Sequence, residues 1–134
     1  MSDGRRASFR APVAPDILEH AHAVLAEVLE GAETVPATIA GRADLAISEV
    51  LSNILRHGAE ATEVSLEVAV TPALIVALIE DDGGEVPAGG AEMTEPEAES
   101  GRGRAIVSAV VDRSGYERRN GRNLWRLELD VPGA

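Results

Sequence analysis

The chain has 134 residues, 45% of them apolar, which is enough for one domain around one core. Its net charge of −11 argues against a sequence-independent grip on nucleic-acid phosphates, and its lack of cysteine excludes disulfides and thiolate metal sites. No apolar run approaches the roughly 18 residues of a membrane-spanning helix, and the N-terminal Met-Ser-Asp-Gly-Arg-Arg is followed by no apolar stretch, so neither a membrane nor a secretory signal is expected and a cytoplasmic location is.

Residues 1–6 read as a mobile tail, and residues 7–134 as a single domain. Ala7 to Val13 suits a short edge strand, where Pro12 is tolerated. Pro15-Asp16 starts a helix whose stripe is Ile17, Ala21, Val24, Leu25 and Val28, and Gly31 ends it. His20 and His22 on this helix read as surface or rim histidines. Thr34 and Pro36 open a second helix running to about His57, with Ala43, Ile47, Val50, Leu51 and Ile54 as its apolar stripe and Gly58 as its C-cap. Residues 62–70 alternate strictly, with Val64, Leu66, Val68 and Val70 on one face, as in a half-buried strand. After a turn at Thr71-Pro72, Ala73 to Ile79 is nearly continuous apolar sequence, expected at the sheet centre or covered on both faces.

Residues 83–103 lose all periodicity and are rich in glycine, proline and acids. About twenty such residues inside a small domain read as a lid over a ligand, at about residues 84–102, or as a surface loop. Ile106, Val107, Val110 and Val111 restore a helical pattern from Gly103 to Asp112. Two strands close the chain around Ser114–Arg119 and Asn123–Val131, joined at Asn120-Gly121, a hairpin turn signal. The expected fold is an α/β (α+β) two-layer sandwich, a mixed, mostly antiparallel sheet with three helices on one face.

Three clusters stand apart from the packing pattern. Glu49 and Asn53 lie four residues apart at the margin of the second helix's stripe, where an acid and an amide are costly without partners; Arg56 and His57 follow them. Asp81-x-Gly83 stands at the end of the apolar strand. Ser100-Gly101-Arg102-Gly103 precedes a helix, where free backbone N–H groups and the helix dipole favour an anion. There is no lysine, so any fixed cation on a phosphate must be an arginine.

These motifs, in this order and spacing, resemble those of the GHKL superfamily of ATPases, and within it the small stand-alone anti-sigma-factor serine/threonine kinases of bacteria. Ser-Glu-Val-Leu-Ser-Asn-Ile-Leu-Arg-His-Gly (48–58) is similar to the superfamily's N-box. Ile-Glu-Asp-Asp-Gly-Gly (79–84) resembles its first glycine box, and Glu-Ser-Gly-Arg-Gly-Arg-Ala-Ile-Val (99–107) its second. The likeness covers about residues 7–132. It implies the Bergerat-type ATP-binding fold, with ATP and Mg²⁺ as cofactors. Asn53 falls where the family coordinates Mg²⁺, and Glu49 where the kinases place the general base for the substrate serine. Asp81 falls where the family bonds the adenine amino group, with Gly83 passing close under the base. Ser100, Gly101, Arg102 and Gly103 fall along the phosphates, and Arg56 and His57 near them. The implied activity is serine phosphorylation of an anti-sigma-factor antagonist (STAS-type), coupled to sequestration of a sigma factor. A homodimer is implied, and direct nucleic-acid contact is not.

Three positions depart from the family pattern. Glu85 stands in place of the second glycine of Asp-x-Gly-x-Gly. Glu99 stands where some of these kinases carry an arginine on the γ-phosphate. The last strand lacks the usual threonine beside the adenine-binding aspartate, and Asn123 is its nearest substitute. These departures bear on turnover more than on nucleotide binding, so a catalytically weak, nucleotide-binding partner-switching module is the competing expectation.

Overall fold

A computed structural model describes residues 4–32, 34–57, 60–84 and 107–132. Along the chain come β1 (Arg5–Pro12), α1 (Ile17–Leu29), α2 (Ala37–His57), β2 (Glu63–Val70), β3 (Leu74–Asp81), β4 (Arg113–Arg119) and β5 (Arg122–Asp130). Residues 107–110, called α3 below, are helical. The strands form one five-stranded sheet in the order β1-β2-β3-β5-β4. The helices α1 and α2 pack on one face of it, their buried stripes forming a single core with the sheet.

Each neighbouring pair in this sheet is antiparallel, where a mixed, mostly antiparallel sheet was expected. The connections explain the difference. With two helices between β1 and β2 the chain reverses three times, so β2 returns beside β1 in the opposite sense. A tight turn joins β2 to β3, with Thr71 N–H donating to the Leu74 carbonyl at 2.9 Å. The single excursion from β3 to β4 would make those two strands parallel neighbours, but β5 lies between them. At the hairpin, Asn120 and Gly121 have φ of 54° and 76°. Positive φ at both central residues is the type I′ turn that the Asn-Gly pair favours.

The apolar stripes read from the sequence are the buried ones. Ile17, Ala21, Val24, Leu25 and Val28 of α1 are buried, as are Ala43, Ile47, Val50, Leu51 and Ile54 of α2, joined there by Ile39 and Ala46. Each large side chain fully removed from water stabilises by roughly 1.5–3 kcal/mol. Strands β2 and β3 alternate between buried and half-buried residues along their whole length. That decides between the two expectations for β3: it is central in the sheet and not covered on both faces, since only Ile75, Ala77, Ile79 and Asp81 are buried, while Leu74, Val76 and Leu78 on the other face are half-covered.

The first strand is also longer than expected. It begins at Arg5, inside the stretch read as a tail, because β2 extends to Val70 and offers ladder partners that far: Arg5 pairs with Val70 and Arg6 with Ala69. Arg6 adds an exposed ion pair to Glu67 at 3.5 Å. His20 and His22 are exposed, beside Asp16 at 3.5 Å and Asp44 at 2.7 Å respectively. No described helix is long and apolar enough to cross a membrane.

Candidate functional site

Strand alternation and register together bring polar side chains into the helix-facing side of an otherwise apolar sheet. Asp81 continues the buried series Ile75, Ala77, Ile79 at the end of β3. Its neighbours in the same cross-strand row are Val64 on β2 and Asn123 on β5, and Asn123 in turn pairs with Arg118 on β4. Asp81 is 2% exposed and Asn123 1%, the buried polar residues of the described core. A buried carboxylate and amide are tolerated only when bonded, and both are. The Gly83 N–H donates to Asp81 Oδ1 at 2.6 Å, and Asn123 Nδ2 donates to the same oxygen at 3.1 Å. Burial pushes the Asp81 carboxyl above its ordinary range, against the pull of the Gly83 and Asn123 bonds.

Gly83 is required by space. A Cβ there would stand 2.9 Å from Asp81 Oδ1, 3.1 Å from the Ala61 Cβ and 3.3 Å from the Ala61 nitrogen. Asp82, facing the other way, ties the same loop to β3. Its Oδ1 accepts from the N–H groups of Thr62 at 2.8 Å and Glu63 at 3.1 Å, and its Oδ2 accepts from the Thr62 hydroxyl. These bonds, the Thr62 hydroxyl first, push the Asp82 carboxyl down to about 2. The two adjacent aspartates therefore have opposite work: Asp82 fastens the backbone, and Asp81 faces the site.

Residues 60–62 follow α2, so these contacts bring its C-terminal end beside the end of β3. Asn53 is eight residues before Ala61, and Glu49 one helical turn earlier. Both are half-buried, at the margin of the stripe as their spacing demands. Arg42, seven residues before Glu49 and so on the same flank, donates from Nε to the Val110 carbonyl at 2.8 Å. That bond places the flank against the C-terminal end of α3. Arg56 Nη2 donates to Asn53 Oδ1 at 2.9 Å, which holds the guanidinium at that amide oxygen. The backbone of His57 ends α2; its side chain, and Ser100, Gly101, Arg102 and Gly103, lie outside the described residues, as do the Gly58 cap, Glu85, Glu99 and the lid segment from residue 85.

The structure adds residues that reasoning from the sequence passed over. Asp82 shows no periodic signal, because its partners lie across a strand pair. Tyr116 and Arg118 were within reach: a two-residue turn at Asn120-Gly121 sets Arg118 opposite Asn123 and Tyr116 opposite Trp125. Arg42 carries no motif.

With this geometry in place, comparison with known proteins identifies the class. The family described as "Histidine kinase-like ATPase domain" matches residues 11–129. The chain belongs to that family, whose ATPase character implies ATP binding. The architecture agrees with solved structures. A chain holding the RsbU and RsbW domains of Rv1364c from Mycobacterium tuberculosis superposes with a TM-score of 0.66 at 16% identity, over 94% of this chain and 33% of that one. The blue-light activated histidine kinase EL346 of Erythrobacter litoralis superposes with a TM-score of 0.54 at 25% identity, over 72% of this chain and 32% of that one. Its separate histidine kinase domain gives 0.52 at 24% identity, over 72% of this chain and 46% of that one. This chain thus spans under half the length of each of these solved chains. No curated protein matches the chain significantly.

The residues present suit the implied groups. Asp81 offers a carboxylate at the rim of a core, complementary to an amino-bearing base. Asn53 offers one hard oxygen, and Mg²⁺ commonly takes one or two protein oxygens with phosphates and waters completing the octahedron. The Arg56 guanidinium bonded to Asn53 Oδ1 sets a positive charge beside the oxygen a cation would take. When bound, Mg²⁺ supplies charge neutralisation at the phosphates.

Proposed function

We propose that this chain is an ATP-dependent protein-serine kinase acting as an anti-sigma factor. It phosphorylates a STAS-type antagonist and, by exchanging partners, holds or releases a sigma factor. The observation that carries the reading is Glu49, one helical turn before Asn53 on the flank of α2 from which Arg42 bonds the Val110 carbonyl. A carboxylate so placed reaches a hydroxyl that faces a phosphate held at Asn53, and accepts its proton as phosphoryl transfer proceeds. The fold likeness to a chain that includes an RsbW domain supports the same reading. Mg²⁺ at Asn53 and a homodimer belong to the proposal.

Glu99, standing where some such kinases carry an arginine, favours a second reading: a nucleotide-binding module that regulates by binding alone. Incubation with labelled ATP, Mg²⁺ and the STAS-domain proteins of the same organism separates the two. The kinase reading expects phosphoserine on one of them, lost in Glu49→Ala. Absence of phosphoserine, or equal labelling by Glu49→Ala, sinks it in favour of the binding module. Phosphohistidine on a partner would instead mark a histidine-kinase fragment.

A further inference from the structure

Asn123 can bond in two orientations in principle, because its amide presents an acceptor on one side and two donors on the other. Its surroundings allow one. Oδ1 accepts from Arg118 Nη1 at 3.0 Å and from the Tyr116 hydroxyl. Nδ2 donates to the Gly84 carbonyl at 2.8 Å and to Asp81 Oδ1 at 3.1 Å, with the Gly83 carbonyl at 3.5 Å. Turning the amide over would set its NH₂ against the guanidinium of Arg118, which has donors only and is always charged. It would also set the amide oxygen against a carboxylate and backbone carbonyls. Arg118 is itself held, since Nη1 also donates to the Gly83 carbonyl at 2.9 Å.

The fixed amide transmits a polarity to Asp81. Oδ1 receives two donors, the Gly83 N–H and Asn123 Nδ2. Both favour the ionised carboxylate. No described donor reaches Oδ2, and no described buried side-chain oxygen is both sealed from solvent and unbonded. Oδ2 is therefore an acceptor that is not fully sealed from solvent. A ligand meeting it must donate.

Resting on the nucleotide-binding reading above, we propose that Arg118 and Tyr116, acting through Asn123, are positioning residues that fix the hydrogen-bond polarity of Asp81. They thereby set the pocket's preference for a purine bearing an amino group over one bearing a carbonyl at that place. The determinant lies on the edge strand β4, two strands from Asp81, the residue that touches the base on this reading.

ATP and inosine triphosphate differ on that edge of the base, a 6-amino group against a 6-carbonyl with its adjoining N1–H. Titration calorimetry of the full chain with each, in Mg²⁺, reads the preference as a ratio of affinities. The wild type is expected to prefer ATP. The double variant Tyr116→Phe with Arg118→Met frees the amide, and the ratio is expected to fall about tenfold, roughly the worth of one charge-assisted hydrogen bond. Arg118→Lys, which keeps a donor and its charge, is expected to retain most of the ratio. Asn123→Asp, which puts a second carboxylate beside Asp81, is expected to move the pH at which ATP affinity is lost upward. Tyr116→Phe alone keeps the ring against Trp125, 5.4 Å between centroids. It gives the same reading at smaller amplitude should the double variant unfold. A wild type that prefers ATP, with variants whose ratio and pH profile are unchanged, overturns the positioning role of Arg118 and Tyr116 and leaves the nucleotide reading standing. An equal fall for both nucleotides overturns it too, because that marks a merely structural role. A wild type that binds neither nucleotide overturns both.

Discussion

The two halves of the candidate site are built differently. At the end of β3, Asp81, Asn123 and Arg118 form one cross-strand row, with Tyr116 reaching it from the next, and bonds join three stretches of chain. On α2, Glu49 and Asn53 are half-buried, and the described bond at Asn53 comes from Arg56 three residues along the same helix. The first half is preorganised by folding, because its polar groups were desolvated and bonded when the sheet formed. The second is organised only as far as a helix organises it, and its described hydrogen bond sets a positive charge beside the oxygen a cation would take. On the proposed reading, recognition of a base and handling of a phosphate sit on scaffolds of different rigidity.

Substitutions can break this contrast, and the largest effect is expected at Glu49. Glu49→Gln should lower phosphoryl transfer about 10²- to 10⁴-fold, the usual contribution of a general base. Nucleotide affinity and melting temperature should stay at wild-type levels; a parallel loss of ATP binding would show that Glu49 belongs to binding instead. Asp81→Asn should weaken ATP about 10- to 100-fold by calorimetry, the cost of losing a hydrogen bond to a charged group. In the wild type, ATP affinity should fall as pH drops through the raised Asp81 pKa, since the protonated carboxyl no longer accepts from the base.

Gly83→Ala tests the packing that joins the two halves. Its Cβ would lie 3.1 Å from the Ala61 Cβ and 3.3 Å from the Ala61 nitrogen, so backbone must shift. About 1–3 kcal/mol of destabilisation is expected, read as a lower urea midpoint with an unchanged slope. Asp82→Asn addresses the same junction through pH. The Asp82 pKa is depressed in the folded state, to about 2. Its stabilisation is therefore complete above the ordinary carboxylate value near 4 and is lost as pH falls through about 2. The gap in urea midpoint between wild type and variant should be widest at neutral pH and close in strong acid; a constant gap would remove Asp82 from the linkage. Arg56→Ala should be the mildest, leaving stability nearly unchanged, because the bond it removes is exposed.

Much of the fold is legible in local sequence. The stripes at 3.6-residue spacing in α1 and α2 and the alternation in β2 need no information from elsewhere in the chain, and the type I′ turn follows from Asn120-Gly121 alone. The motif residues Glu49, Asn53, Asp81 and Gly83 are equally visible, since their spacing along the chain carries the signal. Sequence reasoning stopped short at residues whose role depends on another strand. The chain reads Arg5 and Arg6 as a polar tail until β2 is seen to reach Val70. Leu74, Val76 and Leu78 suit a central strand or a doubly covered one, and the choice is made only when the sheet is seen to carry its packed helices on one face.

By itself, then, the sequence determined the order of elements, the faces that pack, and the residue types of an ATPase site, because periodicity and motif spacing are properties of neighbours. The tertiary structure alone decided which oxygen of Asp81 is left to a ligand. That choice depends on donors from Asn123, 42 residues away, held in turn by Arg118 and Tyr116. Antiparallel register sets such residues side by side at distances along the chain over which no local pattern is read.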